Sequence, residues 1–218
     1  MEVTEKLATQ MCKEIYQNSL EVEKYSKSAA INPKVLEVMR EVPRHVFTSN
    51  STIKESYVNT PQPIGCGQTI SQPYIVALMT SLISPYATDK VLEIGTGTGY
   101  QAAVLSRLVD KVYTMEVIPE LYLQAINNFA QVRFNNISCI NESGEHGWPE
   151  FAPFDKIMVT AAAQSVPKTL TDQLKINGKM VIPLQDEFGQ QGLFIINKNE
   201  DLSLDKKYIL PVRFVPFQ

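Results

Sequence analysis

Three glycines that alternate with threonines follow a short apolar stretch near the middle of the chain. Residues 91–99 read VLEIGTGTG, so Gly95, Gly97 and Gly99 come directly after a predicted buried strand. Because glycine carries no Cβ, the backbone of such a turn can approach a ligand closely. The helix predicted after it, from residue 100 to about 109, would direct its free N–H groups toward that ligand.

A carboxylate ends the next predicted strand, residues 111–116. In a parallel sheet, an acidic residue such as Glu116 at the tip of the second strand is placed to bind the two hydroxyl groups of a ribose. The glycine turn and this carboxylate together predict a ligand that contains a nucleoside.

The glycine spacing narrows the identity of that ligand. A dinucleotide site requires Gly-x-Gly-x-x-Gly, but here Gly99 comes one residue early and Tyr100 takes the position of the third glycine. The alternating glycines, with Glu93 two residues before the first, resemble the S-adenosylmethionine-dependent methyltransferases. That cofactor carries no phosphate, and Glu93 is a candidate partner for its ammonium group or for a water beside it. The alternative is a tight strand-to-helix turn whose glycines serve only the fold.

The composition is typical of a soluble globular domain and disfavours several partners. The chain has 218 residues, of which 44% are hydrophobic and 20% charged. Its net charge of −3 argues against nucleic acid, which binds basic surfaces. Three widely spaced cysteines form neither a disulfide framework nor a metal site, which suits a reducing compartment. Without a signal peptide or an apolar run of about 18 residues, we expect a cytoplasmic protein with no membrane partner. We also expect a monomer.

Strands alternate with helices through most of the chain. This alternation predicts an α/β fold with a doubly wound, Rossmann-like, mostly parallel sheet of about seven strands and an N-terminal helical cap. The predicted strands are residues 91–94, 111–116, 137–140, 155–160, 179–182, 192–197 and 208–215, the last two being antiparallel. The predicted helices are residues 4–27 (one helix or a pair), 33–42, 75–83, 100–109, 119–132 and 167–174, the last ending at Asn177-Gly178.

Residues 44–74 form the least regular segment. Three prolines and two glycines between residues 61 and 73 exclude a regular helix or a central strand there. A loop this long inside a compact domain is usually functional or disordered, and the interleaved Ile64, Ile70 and Tyr74 argue against disorder. Ser71 lies just before the apolar helix 75–83, so its hydroxyl is either the N-cap of that helix or a functional group.

Six segments together resemble the protein-L-isoaspartate O-methyltransferase family. The resemblance extends from about Pro33 to Phe217, and the sequences GQTIS followed by QPY, and VRFVP near the end, are specific to this family. The segments are VPRHVF (42–47), PIGCGQTISQPYIVALMTSLI (63–83), VLEIGTGTGYQAAVLSRLV (91–109), PFDKIMVTAAA (153–163), PKTLTDQLKINGKMVIPL (167–184) and PVRFVPF (211–217).

The resemblance implies methyl transfer from S-adenosylmethionine to the α-carboxyl group of L-isoaspartyl residues in damaged proteins and peptides. The methyl ester then collapses through a succinimide and partly restores aspartate, and the spent cofactor is S-adenosylhomocysteine. Residues 1–218 would form a single methyltransferase domain, with a helical cap and substrate loop in 1–83 and a cofactor-binding core in 84–218.

The resemblance also assigns the site residues. Ser71, in the family's Thr-Ile-Ser motif, is the expected catalytic residue and would bind the substrate carboxylate. Arg213 and Val215 are expected to contact the substrate main chain, and no metal is expected. The expected cofactor-binding residues are Thr69, Ile70, Glu93, Gly95, Thr96, Gly97, Gly99, Glu116, Val117, Ser143 and Gly144.

One position departs from the family pattern. After the third strand the family carries Gly-Asp-Gly, whose acid is expected near the adenine, whereas this chain reads Glu142-Ser143-Gly144. Serine still accepts a hydrogen bond, but without a charge, so we expect cofactor binding to weaken by about 1 kcal/mol or less. The alternative is that Glu142 takes over this contact.

The residue inventory suits a carboxyl acceptor. A carboxylate has an unperturbed pKa of about 4 and needs no general base at neutral pH, whereas an alcohol or amine acceptor would favour one, usually histidine. The two histidines, His45 and His146, have no obvious partner in the sequence, and we expect both to be structural or exposed. Catalysis would then consist mainly of positioning.

Two other functions stay open from the sequence. One is a related carboxyl methyltransferase that acts on a dedicated peptide and differs mainly in the loop 48–66. The other is a non-catalytic module that binds S-adenosylmethionine, suggested only by Ser143.

Overall fold

The computed structural model describes residues 2–26, 30–48 and 51–217. The helices are α1 (Glu2–Glu23), α2 (Pro33–Glu41), α3 (Ile53–Ser56), α4 (Pro73–Ile83), α5 (Tyr100–Ser106), α6 (Pro119–Val132) and α7 (Lys168–Asp172), with short 3-10 helices at Arg44–Phe47, Gly144–His146 and Pro149–Phe151. The strands are β1 (Gln62–Gly65), β2 (Gln68–Ile70), β3 (Lys90–Ile94), β4 (Lys111–Met115), β5 (Ile137–Ile140), β6 (Phe154–Val159), β7 (Leu174–Gln185), β8 (Gln191–Lys198) and β9 (Leu204–Pro211).

Seven of the strands form one sheet in the order β5-β4-β3-β6-β7-β8-β9. The first five of these strands are parallel, and β7, β8 and β9 are antiparallel neighbours. The predicted doubly wound, mostly parallel sheet of seven strands is therefore confirmed. The chain moves outward from β3 through β4 to β5 and then returns to the other side of β3 with β6. Ligands in such sheets bind at the carboxyl ends of the strands beside this reversal.

The sheet is covered on both faces because its central strands are apolar on both sides. Along β3, Val91 packs into one core cluster while Leu92 and Ile94 pack into the other, as the alternation of side chains along a strand requires. Strand β6 alternates in the same way. Glu93 shares a face with Val91, and this places a carboxyl group inside the core.

The N-terminal helices pack onto the same core as the sheet. Met11 and Ile15 of α1 and Val35 and Met39 of α2 belong to the cluster that contains Val91. The predicted start of α2 is confirmed, since the Asn32 side chain accepts a hydrogen bond from the Lys34 N–H at 3.0 Å. The amphipathic first segment is a single helix rather than a pair, over its described length. Within the described ranges, no helix has both the length and the apolarity to cross a bilayer.

Three predicted boundaries are wrong near the C-terminus and after the glycine turn. Helix α5 ends at Ser106 instead of about 109, and α7 ends at Asp172. Asn177 and Gly178 lie inside β7, where Asn177 adopts φ +61°, so they bend a strand and do not stop a helix. Strand β9 ends at Pro211, whose missing N–H cannot continue the ladder.

The segment 44–74 contains more regular structure than its prolines suggest. Strands β1 and β2 form a separate antiparallel hairpin that does not join the main sheet. The exclusion of a central strand between residues 61 and 73 is therefore correct, although the hairpin itself was not predicted.

Candidate active site

The glycine turn that follows β3 is fixed by hydrogen bonds to the neighbouring strand. The N–H groups of Gly95 and Thr96 both donate to the Met115 carbonyl, at 2.9 and 3.1 Å. Gly95 adopts φ +94°, and a Cβ at this position would collide with the hydroxyl oxygen of Thr160. The residue is therefore required to be glycine both by its backbone conformation and by the close approach of β6.

Glu116 follows β4 and lies against the glycine turn. Its Oε2 accepts a hydrogen bond from the Gly97 N–H at 2.7 Å, and its Oε1 accepts one from the Ile118 N–H at 3.0 Å. The residue is only 5% exposed. Burial raises the pKa of Glu116, whereas the two backbone donors oppose this rise because they stabilise the carboxylate. Each oxygen keeps a lone pair for one hydroxyl group of a diol.

A cleft opens at the carboxyl ends of β3, β4 and β6, and it encloses about 850 Å³ including its mouth. The predicted cofactor residues that line it are Thr69, Ile70, Gly95, Thr96, Gly97, Glu116, Val117 and Gly144, together with Ser71 and Val215 from the predicted substrate side. We call it the cofactor cleft.

The charge of this cleft selects among nucleoside-containing ligands. Glu116 is the one charged residue among those that line it within the described ranges. A phosphate-bearing nucleotide would place its negative charge near this carboxylate with no cation to balance it. S-adenosylmethionine carries a ribose and a positive sulfonium but no phosphate, so the residues present fit that cofactor.

Three predicted cofactor residues do not line the cofactor cleft. Gly99 instead admits the ring of Phe129, which would lie 2.5 Å from a Cβ there. Ser143 caps the short helix after β5 by accepting a hydrogen bond from the Glu145 N–H at 3.3 Å. Glu93 lies wholly inside the core beneath the turn.

Glu93 has unusual electrostatics for a group in this position. Thr114 Oγ1 lies 2.5 Å from Glu93 Oε2, and Oε1 has no hydrogen-bond partner among the described residues. Burial raises the pKa of Glu93 to about 8, the hydrogen bond from Thr114 opposes this, and the nearby Glu116 adds to it. Burial thus favours the neutral form of this carboxyl group.

Ser71 follows the β1–β2 hairpin but does not cap α4, so the N-cap alternative is wrong. Pro73 occupies the first helical position, and the residue before it, Gln72, is the N-cap without a side-chain hydrogen bond. The Asn59 side chain accepts the Tyr74 N–H at 2.9 Å and satisfies one free donor at this end. The Ser71 side chain is thus not needed as a cap.

A second cleft adjoins the first, and we call it the substrate cleft. Arg213 and its neighbours in the C-terminal segment form one wall, and Pro61, Gln72 and Ile75 form part of another. Four residues line both clefts: Thr69, Ser71, Thr160 and Val215. The Val215 carbonyl accepts the Ala162 N–H at 2.8 Å, which fixes the C-terminal segment beside β6. Ser71 therefore lies at the junction of the two clefts.

The sequence interpretation missed two residues at this junction. Thr160 lines both clefts, and its hydroxyl lies 2.9 Å from the Ile94 carbonyl and 2.7 Å from the Gly95 carbonyl. Arg44 is fully buried and donates to the Ser71 carbonyl at 2.8 Å. Both residues lie in segments that resemble the family, and this was the only sequence signal for them. Their distance from Ser71 along the chain gave no reason to connect either residue with it.

The two histidines are structural or exposed, as expected from the sequence. His45 Nδ1 lies 2.8 Å from the Tyr57 hydroxyl, so this residue has a partner that the sequence did not indicate. Burial lowers the pKa of His45, and neither histidine lines either cleft. His146 is exposed. Among the described residues, no group of three His, Cys, Asp or Glu side chains is arranged to hold a metal ion.

Comparison with known proteins gives consistent results in sequence and in structure. The family model described as Protein-L-isoaspartate(D-aspartate) O-methyltransferase (PCMT) matches residues 16–218. A protein-L-isoaspartate O-methyltransferase 1 of Cupriavidus necator is 50% identical over 187 residues, which is 86% of this chain and 72% of that protein. A protein-L-isoaspartate O-methyltransferase 2 of Nitrosococcus oceani is also 50% identical, over 86% of this chain and 85% of its own.

Two solved structures share the fold. One is a protein-L-isoaspartate O-methyltransferase that is 27% identical, with a TM-score of 0.80. The match covers 94% of this chain and 65% of that structure's longer chain. The other, from Plasmodium falciparum and in complex with S-adenosyl-L-homocysteine, is 24% identical with a TM-score of 0.76, over 93% and 98% of the two chains. On the family match and the relatives at 50% identity, this chain belongs to the protein-L-isoaspartate(D-aspartate) O-methyltransferase family.

Proposed function

We propose that this chain transfers a methyl group from S-adenosylmethionine to the α-carboxyl group of L-isoaspartyl residues in damaged proteins and peptides. The resulting ester would start their repair through a succinimide. The observation that carries the proposal is the meeting of two clefts at Ser71, one built around a glycine turn and Glu116 and the other beside Arg213. The family membership of the chain supports the same reaction.

On the cofactor side, Glu116 would bind the ribose hydroxyl groups, because each of its oxygens already has one fixed backbone donor and a lone pair to spare. The main chain at Gly95, Thr96 and Gly97 would pack against the amino-acid part of the cofactor. Thr69, Ile70, Val117 and Gly144 would complete the wall of this cleft.

Glu93, Gly99 and Ser143 would then act behind the cleft. Gly99 would allow α6 to pack against the turn, since Phe129 fills the space of its absent side chain. Glu93 would reach the ammonium group only through an intervening water or a shift of the turn. Ser143 would hold the short helix whose first residue, Gly144, lines the cleft.

When bound, the cofactor supplies a methyl group activated by a sulfonium. The acceptor is a carboxylate with an ordinary pKa of about 4, so the protein needs no group to remove a proton from it at neutral pH. This agrees with the absence of histidine from the described walls of both clefts. The chain's task is positioning: the Ser71 hydroxyl would donate a hydrogen bond to the substrate carboxylate.

On the substrate side, Arg213 would place a positive charge near the substrate main chain, and the backbone at Val215 would pair with it. Both residues line the substrate cleft, and the hydrogen bond from Ala162 to the Val215 carbonyl fixes this wall. An isoaspartyl residue presents a free α-carboxylate because its main chain continues through the side-chain carboxyl group. An ordinary aspartyl residue lacks that free group.

The decisive experiment measures radiolabelled methyl transfer to an isoaspartyl peptide and to its aspartyl twin. We expect methylation of the isoaspartyl peptide only. Equal labelling of both would eliminate repair and favour a carboxyl methyltransferase for a dedicated peptide. Calorimetry with S-adenosylmethionine tests the third function: binding without any methyl transfer would indicate a non-catalytic module.

Several expectations from the sequence remain predictions. These are the division into a helical cap with substrate loop (1–83) and a cofactor-binding core (84–218), the monomeric state, the cytoplasmic location, and the lack of nucleic-acid and membrane partners. Size-exclusion chromatography with light scattering would test the monomeric state, and a dimer would refute it.

A further inference from the structure

Arg44 is the largest fully buried side chain of the described chain, with no exposed surface. Burying a charged group is costly unless its hydrogen bonds and charge are compensated. Within the described ranges no carboxylate forms an ion pair with it, and its Nη1 makes no hydrogen bond of good geometry. An apolar side chain of similar length would fill this space at lower cost. The guanidinium must therefore contribute something other than packing.

Its contribution consists of directed contacts with two different segments. Arg44 Nε donates to the Ser56 carbonyl at 2.9 Å, and Nη2 donates to the Ser71 carbonyl at 2.8 Å. The planar guanidinium suits this task because its donors have fixed directions. One side chain thus ties the end of α3 to the main chain of the proposed catalytic residue.

The same side chain also rests on the cofactor turn. The guanidinium carbon lies 4.7 Å from the centroid of the Tyr100 ring, and Tyr100 directly follows Gly99. The 3-10 helix that carries Arg44 is fixed to this turn as well, because Thr98 Oγ1 donates to the Phe47 carbonyl at 2.7 Å. The distance from the turn to Ser71 is therefore set through Arg44 and its short helix.

We propose that Arg44 is a positioning residue for methyl transfer, whose guanidinium holds the main chain at Ser71 in a fixed place relative to the cofactor turn. The inference rests on the proposed function, since it assigns Ser71 to the acceptor carboxylate. Arg44 lines neither cleft, so it acts through the residues that it contacts, and its hydrogen bond to Ser71 is the contact that reaches the acceptor side. Misplacement of a reacting group by about 1 Å can lower a rate by roughly 100-fold.

The test compares Arg44→Lys with the wild type on an isoaspartyl peptide. Lysine keeps the charge but loses the planar pair of donors. We expect kcat per cofactor-binding molecule to fall roughly 10- to 100-fold, while the dissociation constant for S-adenosylmethionine changes less than about threefold. Calorimetric stoichiometry counts the folded molecules, so a loss of folding cannot imitate this result. Arg107→Lys is the matched control, because Arg107 stacks on Phe134 at 4.9 Å but is exposed.

A double-mutant cycle separates positioning from a general structural role. If Arg44 acts through the Ser71 hydroxyl, Arg44→Lys should lower kcat by less than about threefold in a Ser71→Ala background. An equal loss in both backgrounds would overturn the proposal, as would an Arg44→Lys enzyme with wild-type kcat. Leu170→Ala, a core deletion in α7, shows what destabilisation alone does to these constants. A wild-type protein that does not methylate the peptide would refute the proposed function instead.

Discussion

The two sides of the active site differ in how much chain builds them and in the charge they carry. On the cofactor side, the glycine turn and Glu116 come from one nearly continuous stretch, β3 through Ile118, although other segments complete the wall. Glu116 is the charged residue of this wall, and Glu93 is buried beneath the turn. The substrate side joins segments that are far apart in sequence and contains the guanidinium group of Arg213, while Arg44 is buried behind Ser71. A positive sulfonium and a negative carboxylate would thus each approach a side of complementary charge.

The two sides should therefore respond differently to mutation. On the cofactor side, single residues are fixed by backbone hydrogen bonds within a strand–turn–helix unit, so their loss should affect cofactor binding first. On the substrate side, Ser71 is fixed by contacts such as that from Arg44, 27 residues away. Its loss should affect turnover first. The variants below test that contrast.

The largest effect is expected for Gly95→Ala. A Cβ at this position would meet the Thr160 hydroxyl, and φ +94° is strained for any residue with a side chain. We expect a loss of unfolding free energy of about 3 kcal/mol and no measurable cofactor binding. Thermal denaturation and calorimetry measure both. The control is Gly189→Ala, which has φ +80° but open space, so it isolates the backbone cost of about 1 kcal/mol. Equal effects of the two variants would refute the predicted clash.

Glu116→Gln is expected to act on the cofactor alone. Both Glu116 oxygens accept hydrogen bonds from backbone N–H groups. A glutamine amide has only one oxygen, so in either orientation its NH₂ group would face one of these N–H donors. We expect the dissociation constant for S-adenosylmethionine to rise roughly 10- to 100-fold, as for a lost hydrogen bond to a charged group. Glu120→Gln, an exposed change in the first turn of α6, is the control. Unchanged affinity would rule out the ribose contact.

Ser71→Ala should show the opposite pattern. Loss of one hydrogen bond to the acceptor carboxylate should lower kcat by roughly 10- to 100-fold, while cofactor affinity stays within about threefold. Steady-state kinetics on an isoaspartyl peptide, together with calorimetry, separate these quantities. Ser203→Ala, at an exposed turn, serves as control. If the cofactor is lost instead, Ser71 belongs to the cofactor side and the contrast between the two sides fails.

The same contrast explains which features could be predicted from sequence. The glycine turn and Glu116 lie in consecutive elements, so hydrophobic patterning and spacing placed them together in the same cleft. Ser71 required the family resemblance, because its neighbours come from distant segments. The contacts of Arg44 with Ser71 and of Thr160 with Ile94 span 27 and 66 residues. No local propensity encodes such pairs.

Errors at element ends have equally local causes. Pro73 moved the helix cap from Ser71 to Gln72, because proline favours the first helical position and restricts the residue before it. The Asn-Gly pair at residues 177–178 looks like a helix stop, yet it lies in β7, at the irregularity where the register with β6 passes from Leu174 to Lys179. The strand predicted at residues 208–215 is present as β9, but the polar residues 204–207 concealed its start.

The last prediction concerns the pH dependence of stability through Glu93, the buried carboxyl group beneath the cofactor turn. Its folded-state pKa of about 8 lies above its ordinary value of 4.5 because the group is buried. The folded state therefore holds this proton more tightly than the unfolded state does. The stability that Glu93 contributes is fully present below about pH 4.5 and is lost as the pH rises through about 8.

Glu93→Gln keeps the shape of the neutral carboxyl group but cannot ionise. Measured by chemical denaturation between pH 5 and 9, the wild type should lose stability relative to Glu93→Gln as the pH rises, on the order of a few kcal/mol in total. Parallel profiles for the wild type and Glu93→Gln would mean that Glu93 is ionised in the folded protein. The cofactor side would then contain two buried negative charges, those of Glu93 and Glu116. The two sides would differ more in charge than the structure implies.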